Sequence, residues 1–189
     1  RDLHSFPTRR SSDLSSPHPV ALRSSALRRR DQAGALLPSL LGYQVPIWPE
    51  HRLTRHNGAE LERLVRRRAG EKWLATDDFA ETITHLRRAI QIPSAAHSAL
   101  EYQRWAVRSQ FRPEGHRFMR LMRRRIDIPV LHLRGDADPY VLADPVRRTE
   151  RLVPHGRYVT LSDAGHFGHE ETPDQVNDRL SAFVRQVCG

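Results

Sequence analysis

Two stretches constrain this chain most: IDIPVLHLRGDADPYV, from Ile126, and RYVTLSDAG, from Arg157. Each is an apolar, β-branched run of strand length that stops abruptly in Gly and Asp, as a buried parallel strand does at its C-terminal loop. Between them DPVRRTERLVP reads as a short helix with Pro near its start. After them TPDQVNDRLSAFVRQV reads as an amphipathic helix, with Thr172 as cap and Pro173 at the first helical position. Strand, helix, strand, helix implies parallel strands covered by helices, an α/β architecture. Ligands of such sheets gather at the C-terminal strand ends. Asp136, Asp138 and His166 all fall there.

Upstream, from Ser16 to about Arg125, the pattern is almost wholly helical. QAGALLPSLLGYQ is apolar enough to be buried on most sides, and Pro38 should kink or divide it. NGAELERLVRRRAG places Leu61, Leu64 and Val65 on one helical stripe, closed by Gly70. Thr76 caps DDFAETITHLRRAIQI, with Asp77 and Asp78 in the positive first turn. SAAHSALEYQRWAVRSQ and EGHRFMRLMRRR follow as further helices.

Composition excludes several classes. The 189 residues are 38% hydrophobic, and no apolar run is long enough to cross a bilayer. The single Cys188 rules out an internal disulfide framework, and no secretory signal pattern appears, which together favour a reducing, cytoplasmic setting. The formal charge of +9 is carried by arginine, with runs at Arg28 to Arg30, Arg66 to Arg68 and Arg123 to Arg125. Clustered guanidinium groups attract polyanions, so a basic helical module for nucleic acid or an acidic partner is the alternative of another class. No nucleic-acid module signature accompanies the charge, and solvated helix faces are the simpler reading. His166 and His169 have neither the spacing nor the partners of a zinc site, so neither metal nor cofactor is expected. The first fourteen residues, RDLHSFPTRRSSDL, lack either apolar period and stand outside the fold as a non-native or disordered leader; they resemble a translated sequencing adapter.

PVLHLRGDADPYV followed by YVTLSDAGHFGHEETPDQV resembles the last two strands of the α/β-hydrolase fold, with an acid after the penultimate strand and a histidine after the final one. SSPHPVALR, WPEHRLTR and IPSAAHSALEYQRWAVRS are similar to the helical lid of its epoxide-hydrolase-like members. The resemblance implies a partial α/β-hydrolase fold: a leader (1–14), a helical lid (15–125) and the C-terminal part of the core (126–189). It nominates Asp138 as the acid, with Asp136 as fallback, and His166 as the base. Such a histidine activates water to hydrolyse an ester formed on an aspartate nucleophile, and the acid fixes its tautomer. The resemblance also nominates Tyr43, Tyr102 and Trp105 as lid residues over a small apolar substrate. Gln103 follows Tyr102 where a second tyrosine is expected, and Pro46 stands where the first belongs, so haloalkane dehalogenase and carboxylester hydrolase relatives stay open. No stretch satisfies the nucleophile elbow, G-x-S-x-G or its Asp variant. The missing N-terminal half of the same fold is therefore the expected partner, and the chain alone is expected to be inactive and poorly soluble.

Overall fold

The structure is a computed structural model that describes residues 11–14 and 17–188. Its upstream region is built from helices α1 (Pro19–Arg28), α2 (Arg30–Gly42), α3 (Trp48–Arg66), α4 (Glu71–Leu74), α5 (Asp77–Ile90), α6 (Ala95–Arg108) and α7 (Pro113–Leu121). The Thr76 hydroxyl accepts the Phe79 N–H at 3.2 Å and so caps α5 as its sequence suggests.

Three local readings change. Helix α2 runs unbroken through Pro38. Its lost backbone bond is outweighed by tertiary anchors, the buried Leu36 and the fully buried Gln32, whose amide bonds the Tyr140 carbonyl (2.9 Å) and the Leu142 N–H (3.0 Å). Helix α3 starts upstream of the expected stripe and is broken at Arg55–Gly58, where His56, Asn57 and Gly58 take φ of 50°, 52° and 78°. A Cβ on Gly58 would stand 3.2 Å from Arg87 Cγ, so a left-handed turn packed on α5 favours glycine twice over. Gly70 does not close α3 in a left-handed cap; at φ −72° and ψ 146° it precedes α4 instead.

Two apolar clusters hold these helices. Leu53, Ile90, Ala96 and Leu100 join α3, α5 and α6, and Val65, Trp73, Phe79 and Ile83 join α3, α4 and α5. Trp73 meets Phe79 edge to face at 5.0 Å, and its indole N–H donates to Asp78 Oδ2 at 2.6 Å. Between the helices lies Arg104, only 2% exposed.

Strands β2 (Val130–Gly135) and β3 (Gly156–Leu161) are parallel, in the register Val130↔Gly156 to Gly135↔Leu161. Helix α8 (Ala143–Thr149) connects them, and α9 (Gly168–Glu171) and α10 (Pro173–Cys188) follow. The Thr172 hydroxyl donates back to the Gly168 carbonyl at 3.0 Å. Leu131, Leu133, Leu161, Ala164, Val176 and Phe183 form the core between sheet and α10. Each fully buried Leu among them contributes about 1.5–3 kcal/mol.

Strand β2 is buried along nearly its whole length; β3 is not the second buried strand its sequence suggests, since Arg157 and Thr160 face solvent. Among the described residues its one neighbour is β2, at the edge of the sheet they form. The four residues Ser11–Leu14, set outside the fold by their sequence, form β1 and pair in parallel with β2, in the register Ser11↔Val130 to Leu14↔Leu133. The free edge of β2 offers unpaired backbone groups that an extended segment can satisfy whatever its side chains. The remainder of that leader lies outside the described residues.

Candidate active site

The two strand ends are in backbone contact. Asp136 N–H donates to Leu161 O and Ala137 N–H to Ala164 O, both at 3.0 Å. Only glycine fits at the end of β2, because a Cβ on Gly135 would come within 2.1 Å of Gly165 O. The loops after β2 and β3 are thus sewn together, carrying one carboxylate and one imidazole.

The Asp138 side chain is wholly buried. Its Oδ1 accepts the N–H groups of Tyr140 (2.7 Å) and Val141 (3.0 Å), which makes it the anchor of its own turn. Its Oδ2 stands 3.0 Å from His166 Nδ1. One carboxylate therefore shapes the loop with one oxygen and faces the histidine with the other. Asp136, the fallback acid, is exposed to solvent and is not the residue paired with His166.

His166 is held from several sides. Its N–H donates to Arg68 O at 2.8 Å, and its ring meets the rings of Tyr140 (5.1 Å) and Phe167 (5.4 Å) edge on. Its side chain is 21% exposed, and its Nε2 has no hydrogen-bond partner among the described residues. With Nδ1 turned to the Asp138 carboxylate, Nε2 is the ring nitrogen left without a partner among the described residues. Burial pushes the Tyr140 phenol above its ordinary value, against the pull of Arg68, so it stays neutral beside the imidazole.

Two residues that the sequence did not single out complete the site. Arg68 stacks on Tyr140, its Cζ 4.2 Å from the ring centroid. Glu171 is a clamp: its Oε2 accepts the N–H groups of Gly70 (2.7 Å) and Gly165 (2.6 Å), and its Oε1 accepts that of Phe167 (2.9 Å). It ties the segment after α3 to the histidine loop. The approach is so close that a Cβ on Gly165 would come within 2.4 Å of Arg68 O. In the sequence Glu171 shows only as an acid near a helix start, and Arg68 only as one of a run of three.

The nominated lid residues divide. Tyr43 is half-buried against the Leu53, Ile90 and Leu100 cluster, and it adds to the upward push on Tyr140. Tyr102 is 76% and Trp105 56% exposed, and neither makes a ring contact with His166. The described residues hold no cluster of three or more side chains suited to a metal ion. None of their helices is long and apolar enough to cross a membrane.

A helical region followed by parallel strands, with a buried aspartate and a histidine meeting at the strand ends, matches part of an α/β-hydrolase fold. No family model matches the chain. The epoxide hydrolase of Bacillus megaterium superposes with a TM-score of 0.68 at 21% identity, over 92% of this chain and 60% of that one. A candidate acyltransferase from Salmonella enterica superposes at 0.71 and 18% identity, over 93% of this chain and 56% of that one. In sequence, 61 residues are 34% identical to the (R)-3-hydroxydecanoyl-ACP:CoA transacylase of Ectopseudomonas oleovorans, covering 32% of this chain and 21% of that protein. The chain thus has a partial α/β-hydrolase fold and spans little more than half the length of the structures it resembles.

Proposed function

We propose that Asp138 and His166 are the acid and base of a hydrolytic relay whose nucleophile is supplied by a preceding part of the same fold, in an enzyme of the epoxide-hydrolase-like kind. The observation that carries this reading is the 3.0 Å contact from His166 Nδ1 to the buried Asp138 Oδ2, with Nε2 left open. His166 Nε2 takes a proton from water as the water oxygen adds to the carbonyl carbon of an enzyme-bound ester. Asp138 stabilises the imidazolium, which returns the proton to the oxygen that leaves as the ester bond breaks. The isolated chain has no elbow sequence and does not turn over substrate.

The test is hydrolysis of ester and epoxide substrates by the chain alone and by the chain joined to the preceding part of its own gene. Activity only in the joined form, lost in H166A, is the expected result. Joined protein whose turnover is untouched by H166A sinks the relay.

A second reading, acyl transfer, is favoured by the 61-residue match to a transacylase. The same pair would deprotonate an acceptor alcohol or thiol instead of water. Supplying an acyl thioester with and without an acceptor separates the two: faster thioester loss with the acceptor, and acylated acceptor as product, selects transfer.

A further inference from the structure

Arg68 has a position no other arginine of its run shares. Arg63 and Arg67 reach Glu60, and Arg66 reaches Glu62. Arg68 turns the other way, toward the histidine. Its carbonyl accepts the His166 N–H, and two residues on Gly70 is gripped by Glu171, so its backbone is fixed to the active-site loop. Its guanidinium carbon lies over the Tyr140 ring, 4.2 Å from the centroid, and that ring meets His166 edge on at 5.1 Å. It is half-buried, and its only polar side-chain partner among the described residues is Ser39 Oγ at 3.4 Å, a long contact. It makes no ion pair among the described residues.

A guanidinium stacked on an aromatic face is held by its π surface and keeps its in-plane N–H edge free. That edge matches an oxyanion in two parallel hydrogen bonds. A partly desolvated cation with no carboxylate opposite also gains most from a ligand of opposite charge. We propose that Arg68, on its Tyr140 platform and with the Ser39 hydroxyl beside it, is the subsite for a carboxylate or phosphate oxyanion on the substrate that reacts at His166. The inference rests on the relay reading for what happens at His166, but not for the binding itself. It gives the substrate an anionic end that the apolar lid does not predict.

The full chain, isotope-labelled, is titrated with sodium acetate and with inorganic phosphate at pH 7.5, with sodium chloride at matched ionic strength as control. The ring signals of Tyr140 and His166 are followed by NMR. Saturable shifts with a dissociation constant on the order of 1 mM are expected for at least one of the two anions. Saturation by acetate assigns a carboxylate-bearing substrate, and saturation by phosphate a phosphate-bearing one. R68Q should weaken binding at least about tenfold. R120Q, on α7, should leave it unchanged. Where R68Q disturbs the whole spectrum, R68K takes its place, with an expected drop of about threefold because a point charge replaces the fork. No saturation beyond chloride, or equal affinity in native, R68Q and R68K chains, overturns the subsite. Because the titration reads binding without turnover, failure of the relay and failure of the subsite are read separately.

Discussion

Two carboxylates sit at the centre of buried polar networks, and they are used in opposite ways. In the upstream helical region, Glu50 faces Arg104, whose five N–H donors are all taken: Nε by Tyr43 O, one terminal nitrogen by Glu50 and Glu101, the other by Glu50 and Val45 O. The Arg104 hydrogen bonds hold the Glu50 carboxyl well down, at about 2. At the strand ends Asp138 is more deeply buried than Glu50, but its partner keeps one nitrogen unused among the described residues. A closed network can only hold a structure together. A network left open by one basic atom, at a partly exposed ring, can move a proton.

That contrast can be broken at four places. The largest effect is expected at the open network: in the joined, active protein D138N should cost about 10,000-fold in turnover by upsetting the imidazole tautomer, with little change in unfolding free energy. A large loss of stability with little loss of rate would make Asp138 a turn anchor alone. Next comes the closed network, where R104A leaves Glu50 with only the exposed His97 beside it and should cost about 3–5 kcal/mol in urea unfolding. The His166 ring signals should not move in that variant; if they do, the two networks are coupled.

A third test uses His132, buried in mid-strand with both ring nitrogens unpartnered among the described residues. Burial, and to a lesser degree Arg134, lowers it from 6.5 to about 4. The unfolded chain therefore binds this proton at a higher pH than the folded one. Stability should be full above 6.5 and fall as pH drops toward 4, by roughly 3 kcal/mol in all. H132L should flatten that limb in unfolding curves taken across the window; an unchanged limb assigns the loss to other groups. The smallest effect is expected for E171Q, which sets an amide donor against a backbone donor and should cost about 1–2 kcal/mol. Its signature is faster hydrogen exchange at Gly165 and Phe167, with the Glu50–Arg104 region unaffected.

Much of this was legible in the chain. Apolar runs ending in Gly and Asp marked both strands of the α/β unit, and helix chemistry marked α5 down to its cap at Thr76. Asp136, Asp138 and His166 could be placed at the strand ends, where a parallel sheet presents side chains, and the resemblance to the α/β-hydrolase fold nominated Asp138 and His166 among them. The pairing of Ser11–Leu14 with β2 was not legible, since an open edge recruits backbone rather than side chains. Nor was Pro38 inside α2, where long-range anchors at Gln32 decided the outcome. Arg104 looked like any surface arginine until its partners, more than fifty residues away, closed around it.

By itself the sequence determined period, punctuation and residue type: where strands stop, which residues follow them, and that an acid and an imidazole stand at two successive stops. Tertiary structure alone decided which oxygen meets which nitrogen, which aspartate is buried and which arginine is left with a free edge. The reason is physical. Local pattern fixes backbone conformation over a few residues, whereas burial, ion pairing and the openness of a proton acceptor depend on atoms that only folding brings within 3 Å or so of one another.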